Sequence, residues 1–216
     1  MALLELKNIS FGFGNDIILD NVNLKIEEGS FVGLVGLNGS GKTTLLRIML
    51  SLLKPTKGQV ITSKKIKFGY VNQTTSTEEG DFPQTVFECV SLGLKKKPFH
   101  FLTKDDKSKV TKMLDLFNIT DLKDRPIGSL SGGQGQKVKI AKVFLSNPDV
   151  IILDEPTTGI DKASEYYLGE MINHLHAMKK TIILVSHDKK DLEKCDIIYK
   201  IVDKKVEEFS EDDLYV

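Results

Sequence analysis

The chain has 216 residues, 40% hydrophobic and 28% charged, with 30 Lys and Arg balancing 30 Asp and Glu. Such a length accommodates one large domain or a core with a small appended lobe. A formal net charge of +0 argues against a broad nucleic-acid-binding surface, and two cysteines, Cys89 and Cys195, form neither a disulfide framework nor a metal-ligand spacing.

The start, Met1 to Glu5, lacks the basic-then-apolar pattern of a signal peptide, and no apolar run approaches the ~18 residues of a membrane span. The expectation is a soluble chain whose membrane role, if any, comes through a partner. Leu4–Phe11 and Val22–Ile26 alternate apolar and polar residues, the pattern of antiparallel strands with one wet face. An aromatic-bearing loop, Phe11–Asp16, is expected between them. Phe31–Val35 reads as a buried strand, and Leu45, Ile48, Met49 and Leu52 recur at helical spacing. Short strands follow at Gln59–Thr62 and Ile66–Val71.

From about residue 74 to 130 strand signals vanish, and a small helical lobe inserted into the core is expected. Thr85–Leu94 reads as a helix, and Thr103 as the N-cap of another whose apolar face is Val110, Met113, Leu114 and Phe117. The core then resumes with a helix through Val138, Ala141, Phe144 and Leu145 and a buried strand Val150–Leu153. A long helix with Leu168, Met171, Ile172 and Leu175 inward precedes strand Thr181–Val185. A helix near Lys189–Lys194 and strands Ile197–Val202 and Val206–Phe209 complete the pattern. His174 and His176, two apart on one helix, do not face one another and read as surface residues; His100, between Phe99 and Phe101, reads as a packing or docking cluster.

Gly36–Thr43 fits Gly-x-x-x-x-Gly-Lys-Thr between a strand and a helix, the context of a phosphate-binding P-loop. Gly36, Gly39 and Gly41 let the backbone of Asn38 and Ser40 curl so that N–H groups converge, and the helix start adds its own unpaired donors. Lys42 would reach the β- and γ-phosphates, and the Thr43 hydroxyl would join a Mg²⁺ shell. Asp154 and Glu155 end a buried strand, where open α/β sheets bind ligands. Asp154 resembles a Walker B aspartate that holds Mg²⁺ through water, and Glu155 could take the proton of an attacking water. Leu130-Ser131-Gly132-Gly133-Gln134 is a second Gly-rich helix start.

Taken in order, Gly36–Thr43, Gln73, Leu130–Gln134, Asp154-Glu155, Asp161 and His187 resemble the ATP-binding subunit of an ABC transporter, over nearly the whole chain. The resemblance implies an α/β P-loop NTPase core with an N-terminal antiparallel β subdomain and an inserted helical subdomain, all within one ABC ATPase domain, 1–216. It implies ATP and Mg²⁺ as cofactors, with Phe13 stacking on adenine, Thr44 beside Thr43 on the phosphates, and Gln73 joining Thr43 and Asp154 around the metal. Ser131, Gly133 and Gln134 would contact the γ-phosphate held by an opposite subunit, and Asp161 would sit in a loop crossing that interface. His187 would hydrogen-bond the γ-phosphate and orient Glu155 and water, so the catalytic set is Glu155, His187 and Lys42. The implied assembly is a homodimer around two ATP, docked peripherally on integral permease subunits at the cytoplasmic face of the membrane.

Phe68–Gln73, Asp81–Val86 and Asp124–Leu130 look most like ATPases of bacterial zinc and manganese importers, which work with an extracellular or periplasmic metal-binding protein. The resemblance therefore implies import of zinc or manganese. An iron chelate or another small solute is the alternative, and a non-transport ABC ATPase of repair or translation is a different class. Phe13 stands where that family commonly has tyrosine, and Gly135 where it has Arg or Lys, leaving Lys137 as the nearest cation.

Overall fold

The computed structural model describes residues 2–71, 83–94, 101–158 and 160–209. The chain divides into two compact units, one made of Met1–Phe68 and Leu175–Val216, the other of Gly69–His174.

In the first unit, β1 (Ala2–Phe13) lies between β2 (Asp16–Glu27) and β4 (Lys57–Thr62) in an antiparallel sheet. Alternation buries Leu4, Leu6 and Ile9 of β1 and Leu19, Val22, Leu24 and Ile26 of β2. The expected aromatic loop is a correction. Both strands run on to a two-residue turn at Gly14-Asn15, so Phe13 stands on β1 opposite Asp16. Gly14 has a positive φ of 57°, which a tight hairpin turn of this kind requires.

A second set of strands in this unit places β3 (Phe31–Gly36) between β7 (Thr181–Val185) and β8 (Ile197–Val202), parallel to both. β9 (Lys205–Phe209) extends β8 antiparallel. Phe31, Val32, Leu34 and the whole of β7 are buried, which explains their unbroken apolar runs. α1 (Lys42–Met49) follows β3 and buries Leu45, Leu46, Ile48 and Met49. α6 (Lys189–Leu192) joins β7 to β8.

The second unit contains β5 from Gly69 onward (Phe68–Val71), β6 (Val150–Asp154) and four helices: α2 (Val86–Ser91), α3 (Lys104–Leu116), α4 (Gly132–Leu145) and α5 (Lys162–Ala177) up to His174. α2, α3 and α4 pack on one another, with Phe117 and Phe144 rings 6.1 Å apart. Val110, Leu114 and Phe117 are buried as the spacing predicts, and Thr103 caps α3 through a reciprocal bond with Asp106. α2 is shorter than its sequence pattern, ending before the turn at Leu92-Gly93-Leu94.

His176 is a second correction. It is not a plain surface residue: in the first unit its Nε2 lies 3.2 Å from Asp196 Oδ2 and its ring 5.4 Å from that of Phe31. The same Asp196 oxygen accepts the Phe31 N–H at 2.7 Å, which pins the start of β3. His174 is exposed, as expected, and His100 lies outside the described residues. Among the described residues, no helix is long and apolar enough to cross a membrane.

Candidate functional site

β3 ends at Gly36, and the chain then curls through Leu37–Ser40 into α1. The curl leaves no room for a side chain at Gly36, where a Cβ would stand 2.7 Å from Ser40 Oγ and 2.9 Å from the Ile201 carbonyl oxygen. Gly41, in the N-cap position of α1, has φ 104°, a conformation natural only to glycine. It rests against Ile18 and Leu19 of β2, the strand that returns from the Phe13 turn. Phe13 is 64% exposed, and its ring stands nearly perpendicular to that of Phe11 with centroids 5.1 Å apart.

The chemistry of this turn lies in what α1 lacks. Its N-terminus has no side-chain cap and no acidic residue in the first turn. The first N–H groups of a helix need acceptors, and the helix dipole favours an anion there. Ser40 Oγ adds a buried hydroxyl with no hydrogen-bond partner among the described residues. The Lys42 ammonium crosses the loop, donating to the carbonyls of Gly36 at 2.7 Å and Leu37 at 3.0 Å. Backbone N–H groups, an orphaned hydroxyl, a lysine, the exposed Thr43 and the half-exposed Thr44 make a cradle for a polyphosphate.

β7 brings His187 to the same end of the sheet. Leu34 pairs with Val185, so Gly36 and His187 each come two residues after a paired position on neighbouring parallel strands. The exposed His187 stands between two anchored residues. Ser186, buried, donates its hydroxyl to Asp191 Oδ2 at 3.1 Å and accepts the Asp188 N–H at 3.0 Å. Asp188 in turn accepts the Lys190 N–H at 2.9 Å.

In the second unit, β6 delivers Asp154 and Glu155. Tyr70 of β5 donates its hydroxyl to Asp154 Oδ2 at 2.6 Å, a short charge-assisted bond. Glu155 has φ 46°, left-handed for a residue with a side chain, so the chain turns sharply where β6 ends. Thr158 closes the turn, its N–H donating to the Glu155 carbonyl at 3.2 Å and its hydroxyl to Glu155 Oε2 at 3.3 Å.

α4 starts with a capping box. Ser131 Oγ accepts the Gln134 N–H at 3.3 Å, and Gln134 Oε1 accepts the Ser131 N–H at 3.1 Å. Both bonds use acceptor oxygens. The Ser131 O–H and the Gln134 amide N–H₂ are donors, so the box aligns with anion binding rather than competing with it. Gly135 has open space around it, and Lys137 turns its ammonium over the Tyr167 ring at 5.1 Å. Asp161 immediately precedes α5, its Oδ1 accepting the N–H groups of Ala163 at 3.1 Å and Ser164 at 3.0 Å.

The structure thus gathers Phe13, the P-loop and His187 in one unit, and Asp154, Glu155, Ser131–Gln134 and Asp161 in the other. Gln73 lies outside the described residues. Tyr70, Thr158, Ser164, Ser186 and Asp191 support these side chains.

The ABC transporter family model matches residues 19–158. The chain belongs to the ABC transporter family. It is an ATP-hydrolysing subunit of the ABC type. Over 202 residues it is 42% identical to the high-affinity zinc uptake system ATP-binding protein of Bacillus subtilis, covering 89% of this chain and 87% of that one. It is 38% identical to a zinc uptake system ATP-binding protein of Listeria innocua over 86% of this chain and 77% of the relative. Among solved structures, a dimeric ATP-binding cassette in a post-hydrolysis state with ADP and phosphate superposes with a TM-score of 0.78. That cassette shares 29% identity, over 96% of this chain and 98% of its own.

Proposed function

We propose that this ABC subunit powers a membrane importer of divalent metal ions, zinc before manganese, as a homodimer closing around two ATP. The observation that carries the ATP site is the uncapped N-terminus of α1, set in a glycine turn with a lysine and an orphaned hydroxyl. The metal cargo rests on the likeness to zinc uptake ATPases.

In this reading Gly36, Asn38, Gly39, Ser40, Gly41, Thr43 and Thr44 surround the phosphates, Lys42 neutralises their charge, and Phe13 stacks on the adenine. Thr43 and Asp154 are oxygen donors of the kind Mg²⁺ takes, with Gln73 as a third. Tyr70 holds Asp154 by one oxygen, which fits a carboxylate that reaches the ion through water rather than by chelation. Mg²⁺, when bound, would neutralise charge developing on the transferred phosphoryl group. Glu155 takes the proton of the attacking water, in the orientation its left-handed turn and Thr158 give it. His187, steadied by Ser186 and Asp188, donates to the γ-phosphate. Ser131, Gly133 and Gln134 of the opposite copy offer donors from the far side, and Asp161 lies in the loop that crosses between copies.

The chain forms one ABC domain with a helical subdomain inserted at about 74–130, and it sits peripherally on permease subunits at the cytoplasmic face of the membrane. Co-expression with a candidate permease and reconstitution with its metal-binding protein tests the assignment. Zinc-loaded binding protein should stimulate ATP hydrolysis severalfold over the metal-free form. Stimulation by an iron chelate and not by zinc or manganese would contradict it.

A further inference from the structure

Ser164 is the third residue of α5. Its N–H donates to Asp161 Oδ1 at 3.0 Å and its hydroxyl to Asp161 Oδ2 at 2.7 Å. With the Ala163 N–H at 3.1 Å, Asp161 is held at both oxygens. These bonds, the Ser164 hydroxyl foremost, hold the Asp161 carboxyl below the usual carboxylate range.

The other side of Ser164 lies against α4. A methyl group on Gly133 would fall on the Ser164 Oγ and Cβ atoms. Gly133 is accordingly buried, while Ser131 and Gly132 beside it are exposed. Most residues fit the first turn of a helix, and glycine there lowers helix propensity relative to alanine. The glycine at this position is therefore tied to a contact within the chain: the first turns of α4 and α5 touch at Gly133 and Ser164.

We propose that Ser164 is a positioning residue that locks the first turn of α4 to the Asp161 loop, so that both move as one body. The inference rests on the reading of these two elements as the surface offered to the nucleotide on a second copy. A displacement of Asp161 at that surface is then passed through Ser164 to the Ser131 and Gln134 donors. Gly133, expected from the sequence to approach a phosphate, also serves to admit Ser164.

The test is a bump-and-hole series in the Glu155→Gln background: G133A, S164G, S164A and the doubles G133A/S164G and G133A/S164A. Thermal unfolding without nucleotide reads the contact, and sedimentation with ATP and Mg²⁺ reads its consequence. G133A should lower Tm and weaken ATP-dependent association roughly tenfold or more through overpacking. G133A/S164G, which removes the opposing Cβ, should recover most of both. G133A/S164A keeps that Cβ and should stay defective, which separates packing from loss of the hydroxyl. Additive Tm changes, or a folded G133A/S164G that associates no better than G133A, would overturn the proposal. A parent that stays monomeric with ATP would instead contradict the two-copy reading, and the thermal cycle would still decide the Ser164 contact.

Discussion

The N-termini of α1 and α4 are both glycine-rich, yet they are closed in opposite ways. α1 starts behind a left-handed Gly41 with no side-chain cap. α4 starts behind Ser131 with both halves of a capping box. α2 and α3 carry the same box, at Thr85 and Glu88 and at Thr103 and Asp106. A capped helix end keeps its shape unaided, because its own side chains satisfy two of the orphan donors. An uncapped one leaves those donors to a bound anion. The P-loop is thus built to be completed by phosphate, whereas the α4 turn is finished before it meets anything and adds only outward donors. That contrast fits a site in which one element holds the nucleotide and another closes over it.

The contrast can be broken most severely at Glu155, which serves neither helix end. Glu155→Gln should cut ATP turnover by about 10²–10⁴-fold while leaving ATP binding intact, as initial rates and equilibrium nucleotide binding would show. Unchanged turnover would remove Glu155 as the base. Next in size is Lys42→Ala, which should weaken ATP binding by roughly a hundredfold in a titration of the isolated chain, since a charged hydrogen bond to phosphate is lost. Ser131→Ala should behave differently. It should leave ATP binding to the isolated chain within about twofold, cost about 1 kcal/mol of stability as a lost cap, and still depress turnover. Thr103→Ala removes the same cap from α3 and should cost a similar ~1 kcal/mol with turnover unaffected. Equal turnover for the two variants would mean that the α4 box is only a box. The smallest effect is expected at Tyr70→Phe. Losing one hydrogen bond to a carboxylate should raise the Mg²⁺ concentration for half-maximal ATP binding by about three- to tenfold, measured in the Glu155→Gln background.

Much of this was legible in the sequence because it is local. The P-loop glycines, the Ser131 and Thr103 helix starts and the buried runs of β3, β6 and β7 each announce themselves within a few residues. What escaped was long-range or geometric. Tyr70 alternates out of β5 like any exposed strand residue, and nothing in its neighbours points to Asp154, more than eighty residues away. His176 looked like surface because helical spacing says nothing of Asp196 or Phe31. The Phe11–Asp16 loop vanished into a hairpin whose Gly14-Asn15 turn was a readable signal. Ser164 also had one, an Asp followed three residues later by a hydroxyl, the pattern of a capped helix start. Its contact with Gly133 had none.

The most direct test of two copies sharing one nucleotide is a cross-link between the two helix ends that differ. A chain with Asn38→Cys and a size-tagged chain with Ser131→Cys, both carrying Glu155→Gln, are mixed with a short bis-maleimide. Native Cys89 and Cys195 are buried, and burial, reinforced by Asp191 and Asp196, pushes the Cys195 thiol up to about 12, so neither should react. The expected result is a mixed-size product that forms with ATP and Mg²⁺ and not with ADP. Its absence with ATP, in chains that bind ATP normally, would contradict the shared site.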